Sequence, residues 1–475
     1  MAWCLSQILV ISQEGALDAS HREVTLYYDM LLRLGFGNFR ELLGEVTRSP
    51  VMGVYLSMIR NRRPDPETGQ QPDENYSREI MQLFTIGLNE LHPDGTLRLN
   101  DRGLPIPTYN EFDIVGLAHV FTGWGPHYDP LNPPRWSGGT GSVAPRLDWF
   151  LYGSDLERPM TFYPEYHDPA AKRLVRGLVI PAGTDGQAAL NLALDNLFNH
   201  PNVPPFIARQ LIQRLVTSNP SPGYVYRVSQ AFINNGLGVR GDLAATLRAV
   251  LLDYEARSPA PLADYTRGKR REPVLRITQF LRAFPPASPR LNDSRLFLNY
   301  QYGLQHQIPQ ISPSVFNFYQ PGFAQPGRVA AAGLLSPEFQ ITSETTVINE
   351  ANHIHAAAFY GTWTSELIDP SQPHNATTNP NIIHRSNFSA ELAILERTGF
   401  TLTQNLNALF DALSLKLLDG RISPALRATL SATFASMPSW YYTTTNTTDL
   451  RNRRLDTVRI AAHIIALSPE YVIQK

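Results

Sequence analysis

Residues 187 to 257, QAALNLALDNLFNHPNVPPFIARQLIQRLVTSNPSPGYVYRVSQAFINNGLGVRGDLAATLRAVLLDYEAR, carry apolar side chains at spacings of three and four, broken three times. The breaks are HPNVPP, SNPSP and NNGLGVRGD, and each places proline, glycine or asparagine where a helix must stop or start. Four amphipathic helices joined by short loops pack as antiparallel neighbours. The fold class that follows is mainly α: a multi-helix, bundle-like body with long irregular loops rich in Pro, Gly and aromatic residues, and little or no β. NNGLGVRGD lacks the lysine-serine ending of a phosphate loop, and no strand precedes it.

The 475 residues allow roughly two to four domains. Changes of character divide them into 1–125, helical; 126–186, an irregular aromatic-rich loop or lid; 187–285, a helical bundle; and 286–475, an aromatic wrap followed by helices. One continuous domain is the alternative. The 38 prolines, with 17% charged residues and 10% aromatic ones, suggest stiff irregular connections rather than disorder. A formal net charge of -1 gives no electrostatic case for nucleic acid. The basic runs RGKRRE (267–272) and RNRR (451–454) read as solvated helix ends. One cysteine, Cys4, rules out an internal disulfide framework. No apolar stretch approaches the roughly 20 residues of a membrane span. The opening MAWCLSQILVIS has no basic leader, so no signal peptide is expected in this chain.

Before residue 60, TLYYDMLLRLGFGNFRELLGEVTRSPVMGVYLSMI would be satisfied by two short helices in a hairpin. The next stretch, QPDENYSREIMQLFTIGLNEL, passes from polar to apolar without a break. Asp73 is placed to cap a helix whose core stripe is Tyr76, Ile80, Leu83, Phe84 and Gly87. Glu74 and Arg78, four apart, can pair on its surface. Glu79 borders the buried stripe and shares its edge with Asn75 and Gln82. A carboxylate there either caps a neighbouring segment or lines a pocket. TYNEFDIVGLAHVFTGWG then starts with a capping box, Thr108 to Glu111, and its helix is apolar all round, which predicts a central position for it and for His119.

Residues 125–186 contain or border Trp124, Trp136 and Trp149. So much irregular chain suggests a lid or binding loop. Its aromatics could stack on sugar rings, anchor a partner or plug the core. His167 and Asp168, with Lys172 four residues on, form a candidate acid/base or metal-binding pair. Glu350 and His353 show the E-x-x-H spacing of di-metal bundles, but no second E-x-x-H accompanies it.

The segments ENYSREIMQLFTIGL, VFTGW, HDPAAKRLVRG, HPNVPPFIARQLIQRLVTSNPSPGYVYRVSQAF, GVRGDLAATLRAVLLDYEAR, REPVLRITQFLRAF, SPSVFNFYQPG and ALSPEYVIQK occur in that order. Together they resemble a bacterial family known as domain of unknown function 1800. The resemblance covers essentially the whole chain. It implies an extracytoplasmic, periplasmic or secreted setting, and a partner with an alkaline-phosphatase-like fold encoded nearby. It also implies further chain ahead of the point where this one begins, and it brings no cofactor or catalytic residues. At Glu74 the chain departs from the asparagine usual in the family.

Three functional readings follow. The first is a hydrolase acting on a carbohydrate or other polymer, with Glu79 or Asp168 as acid/base and His167 assisting. Asn75, Arg78, His119, Trp124 and Trp136 would contact its substrate. The second is a non-catalytic binding or scaffold protein, and the third a metal-dependent oxidase or hydrolase using the scattered histidines. The first requires Glu79, His119, His167 and Asp168 to converge.

Overall fold

The structure is a computed structural model that describes residues 1–127, 155–258, 264, 266–285, 307–360, 362–364, 382–384 and 386–475. It is mainly α, with strands of two or three residues among the described residues. The chain divides into two compact units: Met1–Arg267 with Pro309–Pro321, and Gly268–Ile308 with Gly322–Lys475.

In the first unit the helices are α1 (Ala2–Ser6), α2 (His21–Leu34), α3 (Phe39–Arg48), α4 (Pro50–Tyr55), α5 (Asn75–Glu79) and α6 (Glu111–Val120). Two short antiparallel pairs follow: β1 (Trp124–Gly125) with β2 (Thr161–Phe162), and β3 (Lys172–Arg173) with β4 (Val179–Ile180). Next come α7 (Gly186–Phe198), α8 (Val203–Leu215), α9 (Pro222–Ile233), α10 (Leu243–Leu252) and α11 (Tyr254–Arg257). Helices α7 to α10 are the four segments expected from periodicity, and side chains cap the starts of α7, α9 and α10, while α8 starts at the Val203–Pro204–Pro205 run. Asp185 accepts from the Gln187 amide at 3.0 Å, Ser221 from Tyr224 at 3.1 Å and Asp242 from Ala245 at 2.9 Å. Helices α8, α9 and α10 pack on one another.

Three expectations are corrected in this unit. The stretch before residue 60 forms three helices, not two, because Ser49 is extended and Pro50 restarts the helix. The capping box of α6 lies two residues late: Asn110 accepts from Phe112 and Asp113 from Asn110, both at 3.0 Å. Thr108 instead hydrogen-bonds the Gly87 carbonyl. Nor is α6 buried all round, since Phe112 is 73% exposed.

In the second unit β5 (Lys269–Arg270) pairs antiparallel with β8 (Ile473–Gln474). Between them lie α12 (Pro273–Ala283), α13 (Arg328–Ala331), α14 (Glu344–Phe359), β6 (Thr362–Thr364) paired with β7 (Ile382–His384), α15 (Ser389–Leu395), α16 (Leu402–Leu418), α17 (Pro424–Ala435), α18 (Thr447–Leu467) and α19 (Pro469–Val472). Helix α18 packs on α14, α15 and α16. Here the basic run at 267–272 departs from the solvated helix end expected of it. Lys269, Arg270 and Glu272 are buried. Lys269 Nζ lies 3.0 Å from Glu338 and 3.6 Å from Glu272. Arg270 Nη2 donates to both Glu350 oxygens at 2.9 and 2.8 Å, and Arg276 joins the same carboxylate. Each charge goes inside because an opposite charge meets it there.

Candidate functional site

The last turn of α6 carries His119, and the chain then turns through Phe121, Thr122 and Gly123. Gly123 has a φ of +83°, and a Cβ there would lie 2.9 Å from the Tyr163 carbonyl and 3.1 Å from His167. Only glycine both takes this left-handed turn and lets the segment 163–167 come so close. A second glycine sets the other side. A Cβ on Gly116 would stand 1.9 Å from the Arg173 carbonyl oxygen, so its absence lets α6 lie against β3. Two segments some 45 residues apart in sequence are thereby pressed together.

Thr122 is the junction. Its hydroxyl donates to the His119 carbonyl at 2.7 Å and accepts from the Asp168 amide at 2.9 Å. Its carbonyl lies 2.9 Å from His167 Nδ1, with the hydroxyl oxygen at 3.2 Å. A carbonyl only accepts, so Nδ1 of His167 carries the hydrogen and Nε2 keeps its lone pair. That Nε2 is buried without a hydrogen-bond partner, and the ring stands edge-on to Phe162 at 5.3 Å. The side chain of Asp168 contacts His119 Nδ1 through Oδ2 and accepts from the Ala170 amide through Oδ1 at 2.9 Å. Lys172 Nζ donates to the carbonyls of Asp168 and Ala170 at 2.6 and 2.9 Å.

The electrostatics agree with the geometry. Burial alone would raise the Asp168 carboxyl, but the Ala170 amide, the His119 ring and the Lys172 charge outweigh it and hold it below its ordinary value. An ionised Asp168 accepts from His119 Nδ1, which turns Nε2 of that ring away as the proton-accepting atom. Burial pushes His167 down, helped by Lys172 and opposed by the Thr122 carbonyl, Asp168 and Asp185. Burial also lowers Lys172, against the pull of Asp168. The cluster therefore holds a carboxylate-oriented imidazole beside a neutral one, the parts of a general acid–base centre.

His119, His167 and Asp168 thus come together. Glu79 stands apart from their hydrogen-bond network. It is 7% exposed, its Oε2 is buried without a partner, and its helix continues as a π-helical turn, Ile80–Thr85. Such turns are frequent at functional sites. Burial raises the Glu79 carboxyl, with Arg78 acting the other way. Burial also pushes the Tyr55 phenol up to about 12, with Glu14 and Glu79 adding to it against a hydrogen bond from Ser312. Arg78 pairs with Glu74 at 3.4 Å, as its spacing predicts, and reaches Glu111 at 3.8 Å. Asn75 is exposed, which corrects the inward orientation expected of it: it is the first residue of α5, and its amide is capped by Asp73 at 2.8 Å. Trp124 is corrected likewise. Held in β1 and 2% exposed, it packs on Phe162 at 5.4 Å and walls the core instead of offering a stacking face. Trp136 and Trp149 lie outside the described residues.

Thr122 and Gly116 carry only faint local signals in the sequence. The signal for Thr122 is a hydroxyl between a helix end and a glycine in VFTGW, and for Gly116 a lone glycine inside a helix. Among the described residues, no group of three or more His, Cys, Asp or Glu is placed to hold a metal ion. Glu350 of the E-x-x-H spacing is occupied by Arg270 and Arg276.

No curated protein and no solved structure matches the chain. The sequence model of one family, described as "Protein of unknown function (DUF1800)", matches residues 1–473. With nearly its whole length matched, and with the VFTGW and HDPAAKRLVRG segments meeting at one cluster, the chain belongs to the DUF1800 family.

Proposed function

We propose that this chain is a hydrolase in which His119, oriented by Asp168, draws a proton from water as it attacks the scissile bond of a carbohydrate or another polymer, and returns that proton to the leaving oxygen as the bond breaks. The observation that carries this reading is the contact between His119 Nδ1 and Asp168 Oδ2. A carboxylate bound to one imidazole nitrogen fixes the tautomer and leaves the other nitrogen as the base. His167, neutral and bare at Nε2, is the second proton-handling group. Thr122 and Lys172 keep the pair in register through the backbone of 119 and 168–170. An extracytoplasmic site of action accompanies this reading on the strength of the family resemblance.

The test is hydrolysis of a panel of chromogenic glycosides and esters, together with reducing-end release from insoluble polysaccharides. Wild-type protein should turn over at least one of them. His119→Ala and Asp168→Asn, folded by circular dichroism, should each lose at least about 100-fold in rate. Hydrolysis that survives both substitutions, or a wild type inert across the whole panel, would overturn the reading.

A further inference from the structure

Helix α6 buries Ile114, Leu117, Ala118 and Val120 and turns Phe112, Val115 and His119 the other way. Residues three, four and seven apart share a helix face, so these three form one line along its open side. Phe112 is 73% exposed, Val115 is 37% exposed, and the His119 side chain keeps 20% of its surface open. Glu111 lies at one edge of the line and reaches Arg78 at 3.8 Å, while Gly116 at the other edge is pressed to the Arg173 carbonyl. Hydrocarbon scattered over a surface is ordinary, but here it leads up to the base. Neither Phe112 nor Val115 has a side-chain donor or acceptor with which to read the hydroxyls of a sugar. An aliphatic chain needs only the apolar surface they offer.

We propose that this line is the acyl subsite of the enzyme, and that the bond cut is the ester of an aliphatic acid, free or carried on a polymer; the inference rests on the hydrolase reading above. The ester carbonyl stands at His119 and its chain runs over Val115 to Phe112. Water oxygen bonds to the carbonyl carbon as His119 Nε2 takes its proton; the ester C–O bond then breaks and the leaving oxygen receives that proton, giving acid and alcohol. Phe112 stands about 10 Å along the helix from His119, the reach of an extended chain of roughly eight carbons.

A series of p-nitrophenyl esters from acetate to decanoate tests this. Up to octanoate, kcat/KM should rise about twofold per methylene, half the gain of full burial, and then level off. Phe112→Ser should flatten the rise, whereas Leu237→Ser, at a leucine 87% exposed elsewhere in the same unit, should leave it. Binding is read apart from turnover by following the His119 ring resonances as octanamide is added. Wild-type protein should bind it saturably, acetamide should bind at least about tenfold more weakly, and Phe112→Ser should weaken octanamide. Should no ester be cleaved while octanamide binds in this manner, the hydrolase reading fails and the apolar-chain site stands. A flat ester series, a Phe112→Ser slope equal to wild type, or absent octanamide binding would each overturn the subsite. So would saturable binding of maltotriose that Phe112→Ser abolishes, which would give the face to a sugar.

Discussion

The spacing of Glu350 and His353 turns both side chains inward on α14, and the carboxylate meets two guanidinium groups there. Removing one partner of a buried ion pair leaves the others charged and unmatched. Glu350→Ala should therefore destabilise the second unit by about 3–5 kcal/mol, read as a lowered urea midpoint. The same logic explains which candidate residues could be picked out from sequence. His119, His167 and Asp168 stand out because polar side chains in apolar or irregular surroundings need partners. Thr122, which joins them, looks like an ordinary threonine after a helix. Its importance comes from the return of the chain 45 residues later, a tertiary fact with no local trace. Trp124 shows the converse: an aromatic residue in a loop-like segment gives no sign of facing the core until Phe162 is placed against it.

Elements are legible where periodicity and punctuation agree, as in α7 to α10, where the caps Ser221 and Asp242 sit in the expected breaks and Asp185 stands just ahead of the first helix. They are less so where two cues compete. Thr108 and Asn110 both precede α6, and asparagine, immediately before the first helical residue, takes the cap while Thr108 is drawn to the Gly87 carbonyl. The π-helical turn after Glu79 has no periodic signature either, because it adds one residue to a single turn. At this scale the packing of α6 on β3 controls the site. Gly116→Ala places a methyl against backbone that cannot move aside as a side chain would. It should cost about 1–3 kcal/mol or more and spread His119 from Asp168. In the NMR spectrum the strongly deshielded Nδ1 proton expected of the His119–Asp168 hydrogen bond should be lost, whereas Gly322→Ala, with open space around its Cβ position and no left-handed backbone, should retain it.

Acid should weaken the first unit before it touches most surface pairs. His200 is buried, and that burial, with Arg176 and Arg240 nearby, lowers its pKa from 6.5 to about 4. The unfolded chain binds this proton below pH 6.5, while the folded one refuses it until about pH 4. Stability is thus complete above 6.5 and falls as pH drops through that window, by on the order of 3 kcal/mol. His167 is shifted in the same direction. Urea unfolding between pH 7 and 4 should show the decline, and His200→Gln should flatten it; an unchanged slope would count against the assignment.

The thread of the chain adds something that neither unit has alone. Met1–Arg267 is completed by Pro309–Pro321, and the stretch between belongs to the other unit, so the backbone crosses from one to the other three times. A protease that cuts at one crossing therefore frees neither body. Fragments remain interleaved until all three crossings are cut or the fold is melted, and a nicked preparation would still migrate as one particle.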